Sequence, residues 1–112
     1  MRREDLEQRG KTEALFREVN ERIAESAEGF DAERPEFICE CADPNCTHRV
    51  EASLDEYEEV RADGATFILA PGHADAELER VVADRGRFEI VEKVQRTVRA
   101  LVLRLNPRAA ET

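Results

Sequence analysis

Apolar side chains fall into short runs whose spacing changes along the chain, and each change marks a predicted element. Leu15, Phe16, Val19 and Ile23 recur every three or four positions, with Glu and Arg between them. This spacing predicts a helix over residues 11–28 with one apolar stripe to bury, Thr12 as its N-cap and Gly29 as its stop. The connector GFDAERPE, residues 29–36, leads to Phe37 and Ile38, which open a short extended segment. Ser53-Leu54-Asp55-Glu56 is a capping box that starts a helix running to about Ala62, with Leu54, Tyr57 and Val60 inward. ATFILA, residues 65–70, has large apolar residues in succession and predicts a strand covered on both faces.

Pro71-Gly72-His73 reads as the turn after that strand. Asp75 then caps a predicted helix that buries Leu78, Val81 and Val82 and ends at Arg85-Gly86, and RFEIVEKV, residues 87–94, resembles a second strand. In the last segment Val91, Val94, Val98, Leu101 and Leu105 repeat at helical spacing, although LVLRL also fits a strand. The periodicity favours a helix from about Glu92 to Leu105, with Arg96, Arg99 and Arg104 on its polar side. The sum is a small single α+β domain spanning 1–112, with helices at both ends and residues 1–10 and 107–112 expected to be mobile.

Charge qualifies this picture. The net charge of −9 is unevenly placed: residues 1–36 carry 7 basic and 11 acidic side chains, 37–84 carry 3 and 12, and 85–112 carry 7 and 3. An acidic body repels nucleic acid, so binding to DNA or RNA is not expected. The basic C-terminal segment has two uses open to it, neutralising the acidic middle of its own chain or contacting an acidic partner. The opening MRREDLEQRG is charged throughout and there is no long apolar run, which predicts a cytoplasmic protein without a membrane span.

All three cysteines lie in FICECADPNCTH, residues 37–48. An odd number of clustered thiols without an export signal points to metal or redox chemistry rather than structural disulfides. Residues two apart on an extended segment face the same side, so Cys39 and Cys41 can aim at one point. The spacer Ala42-Asp43-Pro44-Asn45 is turn chemistry that returns Cys46 to them. Three thiolates around one tetrahedral ion imply zinc and require a fourth ligand. His48 is close in the sequence; His73 is remote but sits in a Pro-Gly turn, and it would close a larger loop. Glu40, between two candidate ligands, should point away from the ion.

CECADPNC resembles the C-x-C-x4-C pattern of the post-SET zinc motif of histone lysine methyltransferases, in which three local cysteines share zinc with a distant ligand. Only that geometry carries over, because the chain has no SET signature. More widely, LFREVNERI, F-x-C-E-C-x-x-P-x-C, S-L-x-E-Y-E-x-V-R-A, F-x-x-A-P-G-H and the V-E-K ending resemble a family of small actinobacterial proteins. That resemblance implies Cys39, Cys41, Cys46 and His73 as the ligand set, and it implies no activity. A faint likeness to CDGSH iron–sulfur proteins, which use three cysteines and a histidine, departs at their longer spacings and C-D-G segment.

Three thiolates and an imidazole leave no open coordination position, and the signatures of zinc hydrolases, deaminases and phosphate-binding loops are missing. The expectation is therefore a non-enzymatic zinc protein that acts by contacting another protein or a second copy. Its terminal apolar stripes (Phe16, Val19, Ile23 and Val94, Val98, Leu101, Leu105) are expected first to pack on each other within one monomer, the alternative being a homodimer or a partner seated on them. A redox or metal-sensing module is the alternative.

Overall fold

A computed structural model describes residues 2–29 and 33–108 of the chain. Its elements are α1 (Arg3–Gly29), β1 (Glu36–Ile38), β2 (Arg49–Glu51), α2 (Leu54–Arg61), β3 (Thr66–Leu69), β4 (Glu79–Asp84), β5 (Glu89–Lys93) and α3 (Arg96–Arg104). The fold is α+β. β1 and β2 form an antiparallel hairpin, and β3, β5 and β4 form a second antiparallel sheet with β5 in the middle. One hydrophobic core joins the two sheets: Phe37 of the hairpin stacks on Tyr57 of α2 at 4.5 Å, and Phe67, Ile68 and Leu69 of β3 are fully buried.

Elements with strong local signals form where the sequence predicts them. Ser53 and Glu56 make both bonds of the capping box, satisfying two backbone amides at the start of α2. The Ala70-Pro71-Gly72-His73 turn closes through His73 N–H to the Ala70 carbonyl at 3.1 Å, with Gly72 at φ +81°. A type II turn demands that positive φ at its third residue, which glycine adopts without a Cβ clash.

Three expectations are corrected. First, α1 begins at Arg3 rather than at residue 11, so residues 3–10 are helical, and Leu6 and Gly10 are buried. Thr12 is not a cap; its hydroxyl donates to the Gln8 carbonyl inside the helix. At the other end Pro107 and Arg108 form a short turn, while residues 109–112 lie outside the described residues. The buried face of α1 is also rotated from the one its apolar residues mark. It includes Leu6, Gly10, Glu13, Arg17, Asn20, Ala24 and Ala27, whereas Leu15 is 61 % exposed and Val19 39 %. Burying polar side chains is tolerable where each finds partners. Glu13 meets Lys93, Arg17 donates to the carbonyls of Gly64 and Val102, and Asn20 bonds Ile38 and Glu40. Small residues let the neighbours close in: a Cβ at Gly10 would stand 2.8 Å from Leu101 Cδ2 of α3.

Second, the segment after Asp75 is a strand, β4, not a helix. The Asp75 carboxylate does accept the Glu77 amide, and its carbonyl accepts Leu78 and Glu79, so a single turn forms. The β-branched Val81 and Val82 then extend, and β4 pairs with β5, Val81 opposite Val91, across a tight turn in which Gly86 has φ +80°. Both valines are about half exposed, and a bulge between Val81 and Ala83 interrupts this edge strand. Third, Glu92 and Lys93 belong to β5, and α3 starts only at Arg96 with Gln95 as its N-cap. LVLRL is helical. Of the predicted stripe, Val98 and Leu101 are buried, while Val94 and Leu105 stay largely exposed. Among the described residues no helix is long and apolar enough to cross a membrane.

Candidate metal centre

The ten residues between β1 and β2 carry the three cysteines, and the hairpin holds them in place. Beyond the Ile38↔Arg49 pair, the Cys39 amide bonds the His48 carbonyl at 3.1 Å, so Cys39 sits at the mouth of the loop. Asp43 then builds the return turn. Its carboxylate accepts the Asn45 amide at 2.9 Å and its carbonyl accepts the Cys46 amide at 3.1 Å, with Pro44 fixing the backbone between them. The Pro71-Gly72 turn after β3 delivers His73 to the same point.

The donor atoms of Cys39, Cys41, Cys46 and His73 all lie within 4.8 Å of one another. His73 presents Nδ1, which stands 3.6 Å from Cys39 Sγ and 3.6 Å from Cys46 Sγ. A tetrahedral zinc ion at ordinary bond lengths requires a sulfur-to-nitrogen separation of about 3.6 Å, so these residues fit one ion. His48 is placed differently. Its side chain is exposed and its ring meets that of His73 edge-on, with centroids 4.4 Å apart.

Backbone amides surround the sulfurs. Ala70 N–H donates to Cys39 Sγ at 3.2 Å, and the backbone at Asp43 and His48 favours ionisation of Cys41 and Cys46 respectively. Such outer contacts orient ligands and spread their charge. The sulfurs also share protons among themselves: a hydrogen bond with Cys39 holds Cys41 down at about 5, and the same bond, together with burial, drives Cys39 far up. Burial pushes Cys46 up as well. A dication bound here would displace the protons of Cys39 and Cys46, so affinity should fall as pH falls.

Glu40 points away from the sulfurs, into the core. Fully buried, its carboxylate accepts the Ile68 amide at 3.0 Å and the Asn20 side chain at 2.7 Å, while its own amide donates to the Ile68 carbonyl at 2.9 Å. Burial pushes its carboxyl up to about 7 against the pull of those bonds. Asn20 completes the arrangement by bonding both the amide and the carbonyl of Ile38 at 2.9 Å. Asn20 and Glu40 thus stitch the segment around Cys39 to α1 and β3. Neither role was read from the sequence; the available signal was a polar side chain at the buried phase of α1. Asn20→Leu should cost about 1–3 kcal/mol by stranding the backbone of Ile38 and one oxygen of Glu40. Urea unfolding measures the loss, and faster hydrogen exchange at the Ile38 amide locates it.

No protein-family model matches the chain, and no curated protein or solved structure matches it significantly.

Proposed function

We propose that the protein is a non-enzymatic zinc-binding module in which the ion ties the β1–β2 loop to the turn after β3, stabilising a domain that acts through contact with another protein. The convergence of three sulfurs and His73 Nδ1 within 4.8 Å carries this reading. Thiolate-rich tetrahedral sets favour zinc, and with all four positions filled there is no site for a reacting water. The two-iron alternative is disfavoured by the same distances, because ligands on different irons of a cluster lie farther apart than ligands on one ion. The orientation of Glu40 agrees with a structural ion: its carboxylate is engaged by Asn20 and Ile68, leaving it unable to serve as a general base at the centre.

Elemental analysis of untagged protein is expected to give one zinc per chain. Cobalt(II) substitution should produce the intense visible bands of a tetrahedral thiolate site. A metal-free sample that stays folded and ignores chelators would overturn the reading, and a brown protein containing iron would replace zinc with a cluster. His48→Ala should retain its zinc, whereas His73→Ala should lose most of it at limiting metal. The reverse result would exchange the fourth ligand.

One observation favours an added sensing role. Cys46 is only half-buried, while Cys39 and Cys41 are buried, so an oxidant reaches this ligand first. Peroxide taking two electrons from a pair of ligand thiolates would form a disulfide, release zinc and leave water. The measure is zinc release by mild peroxide, reversed by a dithiol.

A further inference from the structure

The basic C-terminal segment largely neutralises its own chain. Arg85 pairs with Glu59, Arg87 with Glu56, Lys93 with Glu13 and Glu79, Arg99 with Glu92, and Arg108 with Glu21 and Glu58. Arg96 and Arg104 have no carboxylate partner among the described residues. Both line one groove of about 380 Å³ between α3 and the N-terminal turns of α1. Lys11, across that groove on α1, likewise has no carboxylate partner among the described residues, and all three cations are exposed. The carboxylate in the lining, Glu7, is held by Arg3 in the same helix. In a chain of net charge −9, this is a local surplus of positive charge that pairing among the described residues does not use.

The spacing of the cations constrains what would sit there. Arg96, Ala100 and Arg104 follow one another at every fourth position of α3, so the two guanidinium groups are anchored about 12 Å apart along the helix. One phosphate group is too small to reach both. An extended peptide repeats its side chains on one face every second residue, about 6.8 Å apart, so carboxylates four residues apart span about 14 Å. A long polyanion such as nucleic acid would meet the acidic remainder of the protein.

We propose that this groove receives an extended acidic segment of a partner protein, with Arg96 and Arg104 pairing carboxylates four residues apart, Lys11 pairing the one between, and Thr97 and Ala100 forming the floor. The assignment rests on the reading of the protein as an interaction module and does not depend on the identity of the ion.

The test is fluorescence anisotropy of a labelled peptide of alternating Glu and Ser titrated with the metal-loaded full chain at low salt. Saturable binding that weakens with added salt is expected, as is no binding of the corresponding Gln-Ser peptide. Arg96→Gln/Arg104→Gln should weaken binding about fivefold or more, from the loss of two exposed charge contacts. Arg22→Gln/Arg49→Gln removes the same charge elsewhere on the surface and should leave binding unchanged. Equal losses in the two double variants would mean non-specific attraction and would overturn the groove, as would absence of binding by the wild type. Displacement of the peptide by equimolar inorganic pyrophosphate would also overturn it, in favour of a small-anion site. Zinc is measured on every sample, so failure of the groove with zinc intact leaves the metal reading standing.

Discussion

Cys41→Ala is expected to empty the metal centre and lower the melting temperature by on the order of 15 °C. The size follows from linkage: an ion bound only by the folded chain, at about a thousand times its dissociation constant, contributes about 4 kcal/mol. For a domain of this size each kcal/mol moves the midpoint by about 4 °C. Cys41 is the residue to replace because its thiol is held lowest of the three, by Cys39 first and then by His73 and the Asp43 backbone. The remaining thiols then have less reason to ionise at neutral pH. The loss should exceed what truncating a small, buried side chain costs by itself, and a chelator separates the two effects. EDTA should bring the wild type down close to the variant while leaving the variant unmoved. A variant that melts like the wild type, or a wild type that EDTA does not touch, would show that no ion contributes to the fold.

The order of the chain explains what was legible beforehand. Three signals that act over three or four residues agree with the structure: Ser53 and Glu56 cap α2, Pro71-Gly72 turns before His73, and Asp43-Pro44-Asn45 folds back toward Cys46. The thiols could be grouped because a C-x-C pair and a four-residue turn need nothing from the rest of the molecule. Errors arose where a distant partner outweighed a local preference. On α1 the polar residues Glu13, Arg17 and Asn20 face inward because Lys93, Gly64, Val102, Ile38 and Glu40 receive them, and only Ile38 and Glu40 lie within about twenty residues of their partner. Hydrophobic periodicity treats such residues as solvent-facing and so selected the stripe of Leu15 and Val19. At Asp75 a helical cap is present and used, but pairing of β4 with β5 takes over after one turn. The inward salt-bridge cluster of Lys93 was likewise invisible, since its members come from α1, β4 and β5.

That cluster yields the second large effect. Lys93 is fully buried, with its ammonium bonded to Glu13 of α1 and Glu79 of β4 and lying 4.8 Å over the ring of Phe67. One cation faces two carboxylates, and Glu13 Oε1 has no hydrogen-bond partner. Burial first, and Glu79 in addition, push the Glu13 carboxyl from 4.5 up to about 7 against the pull of Lys93. Because the folded value lies above the unfolded one, the folded state keeps a proton that the unfolded chain has already released between pH 4.5 and 7. Stability from this group is therefore complete below about pH 4.5 and is lost as pH rises through 7, by about 3 kcal/mol in all. Glu13→Gln, which mimics the protonated acid, should flatten that slope relative to the wild type; any contribution from Glu40 is common to both and cancels. Lys93→Met keeps the volume but leaves two buried carboxylates facing each other without a cation. It should cost about 3–5 kcal/mol at pH 8 and less at pH 6, where one carboxyl can hold the proton. Adding Glu13→Gln to Lys93→Met should restore much of the loss, since a single carboxylate then remains. Denaturant unfolding of the four proteins at both pH values measures this. Equal destabilisation by Lys93→Met at pH 6 and pH 8, with no rescue by Glu13→Gln, would mean that the lysine matters for packing and not for the charge it balances.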